Sequence, residues 1–168
     1  MNKLTNYGTI VAVVGKEPDV GTTAQTVAAN VNRLRVAQNM NYSQLSERLK
    51  AATDWSINAV GIRRIESGER RVTPDDLVAL AIALKVSPAK LLMPPATERS
   101  ESVEVTGVNQ PVQAEELWAW LTSDQPLRAM QIGPGAFRDN TWPQWLLDEF
   151  ESLVDDVRRQ TVKSLGDD

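Results

Sequence analysis

Arg63, Arg64, Arg70 and Arg71 fall within nine residues of one another, in the string GIRRIESGERRV at residues 61–72. Guanidinium groups gathered this closely suit a polyanion, because their planar fork of donors matches a phosphate or the paired acceptors on a guanine edge. At about 100° per residue, a helix over 59–67 sets Ile62 and Ile65 on one face with Glu66 beside them, and Val60, Arg63, Arg64 and Ser67 on the other. The first face suits a core. The second offers two arginines and a small aliphatic group that fits a thymine methyl. Arg70 and Arg71 follow Gly68, in a loop from which cations reach the phosphates beside an occupied groove. Taken alone, an exposed arginine pair on a short helix is a solvated face, so the reading depends on what the neighbouring chain builds.

Other chemistries lack their tools. The 168 residues contain no cysteine and no histidine, which removes disulfides, thiolate nucleophiles, the usual zinc sites and histidine acid–base catalysis. Acidic pairs such as Asp155 and Asp156 have no accompanying base and read as a solvated helix face. The expectation is a protein without catalytic residues, cofactor or metal. Its net charge of −4 is unevenly spread: residues 28–95 carry 10 Lys/Arg against 6 Asp/Glu, and residues 96–168 carry 6 against 14. The basic middle is a surface for a polyanion, and the acidic tail suits a protein partner or solvent. No stretch approaches the roughly 20 apolar residues of a membrane span, and the apolar run at residues 9–14 is shorter than that of a signal peptide. A cytoplasmic protein with no membrane partner is expected.

The elements that would position the arginines follow from local signals. Val27, Val31, Leu34 and Val36 predict a first helix over 23–39. Asn41 followed by Gln44 is a capping-box pattern, opening a second helix that buries Leu45 and Leu49 and leaves its first amides open to a phosphate. Asn58 caps the third helix and Gly68 stops it. Thr73, Pro74 and Asp76 start a fourth with Leu77, Leu80, Ala81 and Leu84 inward, and Ser87–Pro88 repeats the device for a fifth. Trp55, between the second and third helices, is expected to plug the core. Beyond Pro95 a polar stretch leads into a short strand carrying Val103 and Val105, with TIVAVV at residues 9–14 as a candidate partner strand. Two further helices are expected: one over AEELWAWL, then, past IGPG, a long one capped at Thr141 whose Leu146, Phe150, Leu153, Val157 and Thr161 form a seam.

The strings NRLRVAQNMNYSQLSERL (residues 32–49) and GIRRIESGERRVTPDDLVALAIALKVSPAKLL (residues 61–92) resemble the Xre-type, lambda-repressor-like helix-turn-helix family, particularly its actinobacterial and temperate-phage members. The most specific matches are I-x-x-I-E-x-G-x-R from Ile62 and L-x-x-L-A-x-A-L-x-V-S-P-x-x-L-L from Leu77. The resemblance implies a five-helix fold with the third helix in the major groove. It implies Asn41, Tyr42 and Ser43 at the phosphate-facing start of the second helix. It further implies that Asn58, Ala59, Val60, Arg63 and Arg64 approach base edges or adjacent phosphates, and that Glu66 pairs with Arg35. Two departures stand out: Tyr42 replaces a glutamine that orients the recognition helix in many members, and ATDWSIN lengthens the connection between the two motif helices.

The fold class expected is mainly α: a five-helix helix-turn-helix domain over 24–95, preceded by an arm or strand at 1–23 and followed by a linker with a short strand at 96–113 and a helical region at 114–168. The function expected is that of a sequence-specific double-stranded DNA-binding regulator, a repressor of host or temperate-phage immunity type. The alternative is a protein-interaction module, such as an autoregulating antitoxin whose acidic tail binds a basic partner. The partners expected are a DNA operator and, through the last helix, a second copy, with intramolecular cover for the tail tryptophans as the competing role of that helix.

Overall fold

The computed structural model describes residues 20–165, with side chains as far as 162. Among these residues the structure is mainly helical, with eight α-helices and one short two-stranded hairpin. α1 spans Thr22–Ala37 and ends where Asn39 takes a left-handed φ of 54°, earlier than the apolar spacing predicts. α2 spans Tyr42–Ala52 and opens on a complete capping box: Gln44 N donates to Asn41 Oδ1 at 2.9 Å, and Asn41 N donates to Gln44 Oε1 at 2.8 Å. α3 spans Ala59–Glu66, with Ser67 as its C-cap. Gly68, at φ 75°, then turns the chain away in a conformation that a β-carbon disfavours. α4, Pro74–Leu84, begins with a second capping box formed by Thr73 and Asp76, and α5, Pro88–Leu92, is capped by Ser87.

Five helices close on one core. Val27 and Val31 of α1 meet Leu45 and Leu49 of α2, Ile62 and Ile65 of α3, Leu80 and Leu84 of α4 and Leu91 of α5, joined by Ile57 from the α2–α3 segment. Helix ends turned into this core find partners. Asn30 Nδ2 donates to the carbonyls of Leu91 and Met93 at 3.0 and 2.8 Å, and Gln38 Nε2 donates to that of Leu84 at 2.9 Å. These side chains satisfy last-turn carbonyls that α5 and α4 cannot satisfy themselves.

A second cluster follows the polar stretch after Pro95. β1, Ser102–Val103, pairs antiparallel with β2, Val112–Gln113, with Val103 opposite Val112. The segment TIVAVV, suggested from sequence as a partner strand, lies outside the described residues; among these β1 pairs with its near neighbour β2, a hairpin whose short loop closes at low entropic cost. Val103, Ala114 and Leu117 of α6 (Ala114–Leu121), and Leu127 bury together, with Met93 and Trp120 at the margin. This cluster also completes α1. The N-cap of α1 is Gly21, which has no side chain to offer; Thr23 N donates instead to Thr106 Oγ1 at 3.1 Å, and Thr106 N returns a bond to Thr23 Oγ1 at 3.0 Å. A β-carbon on Gly21 would lie 2.8 Å from that hydroxyl, so glycine admits the donated cap.

The last helices depart from the sequence reading. Residues 134–141, taken with IGPG as a connection, form a helix of their own, α7 (Pro134–Thr141), with Gly133 as N-cap, proline in the first turn and Phe137 buried. Thr141 therefore ends α7 rather than capping α8, which spans Gln144–Leu165 after an extended Trp142. Trp142 meets Phe150 edge-on at 5.8 Å and donates its Nε1 to the Ser123 carbonyl at 2.7 Å. Trp145, Leu153, Val157 and Val162 remain exposed.

The cap donated by Thr106 can be measured. Thr106→Ala is expected to lower the unfolding free energy by about 1 kcal/mol, seen as a lower urea midpoint at unchanged slope.

Candidate nucleic-acid interface

α3 has eight residues. Isolated helices below about 12 residues are marginal in water, so its shape must be imposed from outside. Asn58 Oδ1 accepts from Gly61 N at 2.7 Å and fixes the start. Ile62 and Ile65 are buried and fix the inner face. The outer face carries Val60, 59 % exposed, with Arg63, Arg64 and Ser67, all exposed.

One flank is tied to α1. Arg35 and Glu66 form a two-bond ion pair, Nε to Oε1 at 2.6 Å and Nη2 to Oε2 at 2.7 Å, with both side chains almost wholly withdrawn from water. Asn32 Nδ2 adds a bond to Glu66 Oε2 at 2.5 Å. Arg35 also donates Nη1 to the Met40 carbonyl at 2.8 Å and stacks over the Tyr42 ring at 4.2 Å. One guanidinium thus links α1, the start of α2 and the end of α3. The hydrogen bond to Glu66 holds Arg35 above its ordinary arginine range, outweighing the opposing effect of burial.

The other flank is tied to α4 through Asp76, a carboxylate 0 % exposed. Arg70 Nη2 donates to both its oxygens, at 2.8 and 3.1 Å; Trp55 Nε1 donates to Oδ1 at 2.9 Å; and Thr73 N donates to Oδ2 at 3.2 Å. Arg70 reaches this position by passing close to α3. A β-carbon on Gly61 would stand 2.9 Å from Arg70 Nη1 and 2.9 Å from Ile57 Cγ2, so glycine at this helical position makes room for the guanidinium. Trp55 therefore does not plug the core: it is 42 % exposed, because its indole N–H needs an acceptor and finds it at the core's edge.

The remaining sequence-predicted residues distribute as follows. Asn41 and Ser43 are exposed at the start of α2, and Tyr42 beside them is half-buried under Arg35. Ala59 is half-buried on the flank of α3 nearer Glu66, and Arg71 is exposed on the loop after Gly68. Arg63 has no ion-pair partner among the described residues. Arg64 lies 3.7 Å from Glu69, both about half exposed, a pairing worth little in water. Ser67 Oγ lies 3.0 Å from the same carboxylate. The sequence marks Asp76 as a carboxylate near the free amides that open α4; its bonds to Trp55 and Arg70 have no local signal. No group of three or more acidic side chains among the described residues is placed to hold a metal ion.

Two capped helices, α2 and α3, packed through a shared core with the second presenting a cationic face, define a helix-turn-helix unit. Residues 31–91 match the family described as Helix-turn-helix (HTH_3), the Xre/Cro/C1 type, and the chain carries such a domain there; this domain implies DNA binding. No curated protein and no solved structure matches the chain. Among the described residues no helix is long and apolar enough to cross a membrane.

The two-bond ion pair supplies a stability test. Glu66→Ala strands the Arg35 charge and is expected to cost about 3–5 kcal/mol, whereas Glu66→Gln, which keeps an acceptor, is expected to cost less; thermal melting of the two variants checks the order.

Proposed function

We propose that the protein is a sequence-specific double-stranded DNA-binding regulator that represses transcription by occluding a promoter, working in the cytoplasm as a host or temperate-phage immunity repressor. The observation that carries the reading is the outer face of α3, where Val60, Arg63, Arg64 and Ser67 are exposed on a helix tied at both flanks. In this reading residues 24–95 are the DNA-binding unit. Arg63 and Arg64 approach guanine acceptors and Val60 a thymine methyl, with Asn58, Ala59 and Ser67 completing the base-facing set. Asn41, Tyr42 and Ser43 meet a phosphate at the start of α2, and Arg70 and Arg71 meet the flanking backbone. No catalytic residue, cofactor or metal enters the reading.

The exposed Leu153 and Val157 of α8 support a homodimer, which would set two half-sites about one helical turn apart. They equally favour a second reading, in which the acidic tail clasps a basic partner as in an autoregulating antitoxin and DNA binding serves autoregulation. Protection of α8 from proteolysis by a basic protein, with no self-association, selects the second.

Selection from random duplexes is expected to return a specific site. At that site Arg64→Ala should cost about 1–3 kcal/mol and relax choice at one or two base pairs, while Arg71→Ala should weaken all sequences alike and lower the salt slope by about one. An Arg64→Ala titration that matches the parent protein removes Arg64 from base reading. For the dimer, Leu153→Glu combined with Val157→Glu is expected to halve the sedimenting mass; an unchanged mass removes α8 from that role.

A further inference from the structure

Trp55 is the large aromatic of the DNA-binding half that its core does not take up. Its backbone is fixed as well as its ring: Trp55 N donates to Thr53 Oγ1 at 3.2 Å, and that hydroxyl lies 2.8 Å from the Leu49 carbonyl at the end of α2. The indole N–H and the Arg70 guanidinium share Asp76 Oδ1, at 2.9 and 3.1 Å, so ring and cation are neighbours on one immobile carboxylate. Arg70 Nη1, 2.9 Å from where a Gly61 β-carbon would stand, places the pair along the first turn of α3, on the flank opposite Glu66. The flanks of a helix lodged in the major groove face the sugar–phosphate walls rather than the base edges.

We infer that Trp55 is itself a DNA contact: its exposed ring lies against a deoxyribose of the strand beside the groove that α3 enters, next to the phosphate met by Arg70. The inference rests on the DNA-binding reading above and adds to it a residue outside both motif helices. With its one donor committed to Asp76, the indole has only apolar surface left to offer, which suits the hydrocarbon edge of a sugar. Held on its carboxylate before binding, the side chain has little rotamer freedom left to lose. The added segment ATDWSIN thus widens the footprint of the short α3.

The test uses the full chain labelled with 5-fluorotryptophan. Its five tryptophans give five 19F lines, and the one lost in Trp55→Phe is assigned. Saturating duplex is expected to shift that line more than the other four. Trp55→Ala is expected to weaken binding about tenfold on selected and unrelated duplexes alike while leaving the salt slope unchanged, because no charge is removed. Arg70→Gln, which removes the charge, is expected to lower that slope by about one. An unshifted Trp55 line in saturated wild-type complex overturns the contact without touching the regulator reading. A Trp55→Ala slope that falls like that of Arg70→Gln also overturns it, since Trp55 then acts only by holding Arg70. If the unmodified protein binds no duplex at low salt, the DNA-binding reading fails first.

Discussion

Two carboxylates removed from water, Glu66 and Asp76, hold α3 in place, and each does so through an arginine. A helix of two turns has too few internal bonds to repay its own ordering, so its position is decided by what is attached to its sides. Glu66 fastens the last turn to α1, and Asp76 fastens the loop beyond it to α4. Between these anchors the isoleucines need supply only the inner wall. The outer wall is left free of structural duty, which is why two arginines and a valine can stand in solvent there without loosening the fold.

The choice of arginine follows from the number of bonds each anchor carries. Arg35 serves Glu66 twice, a backbone carbonyl once and an aromatic ring from above. A lysine ammonium cannot meet those directions at once, whereas a planar fork can. Tyr42 belongs to the same arrangement: its ring lies under the guanidinium that fixes the end of α3. Gly61 answers a related need on the far flank, by leaving Arg70 a path to Asp76. Buried ion pairs of this kind add little net stability, because the attraction largely offsets the cost of leaving water.

What could be read in the sequence was what folds locally. The caps at Asn41, Asn58, Thr73 and Ser87 each act within three residues, and all four are present with the bonds their spacing implies. The isoleucine and leucine spacings likewise mark the first core, because a helical period is visible in any window of a few turns. Of the contacts that join distant parts, the Arg35–Glu66 pair is implied by the family resemblance and is present; the others carry no local signal. Nothing near Thr23 announces Thr106, and Trp55 carries no sign that its acceptor lies in the first turn of α4. α7 escaped because its start consists of glycine and proline, which signal a turn until one notices that proline is also at home in the first turn of a helix. For the candidate interface, the exposure of Val60, Arg63, Arg64 and Ser67 follows from the helical period, whereas the anchoring of Asp76 by Arg70 and Trp55 is set by tertiary folding.

The hydroxyl that the hairpin region lends to α1 links the two clusters in their unfolding as well as in their packing. A helix end secured by its own side chain frays one turn at a time, whereas one secured from 83 residues away is released only when the distant element lifts off. Amides in the first turn of α1 should therefore exchange with solvent in step with those of the hairpin, as members of one cooperative unit. The polypeptide beyond Pro95 is in this sense part of the machinery that keeps α1 whole, and through Arg35 it bears indirectly on how firmly α3 is held.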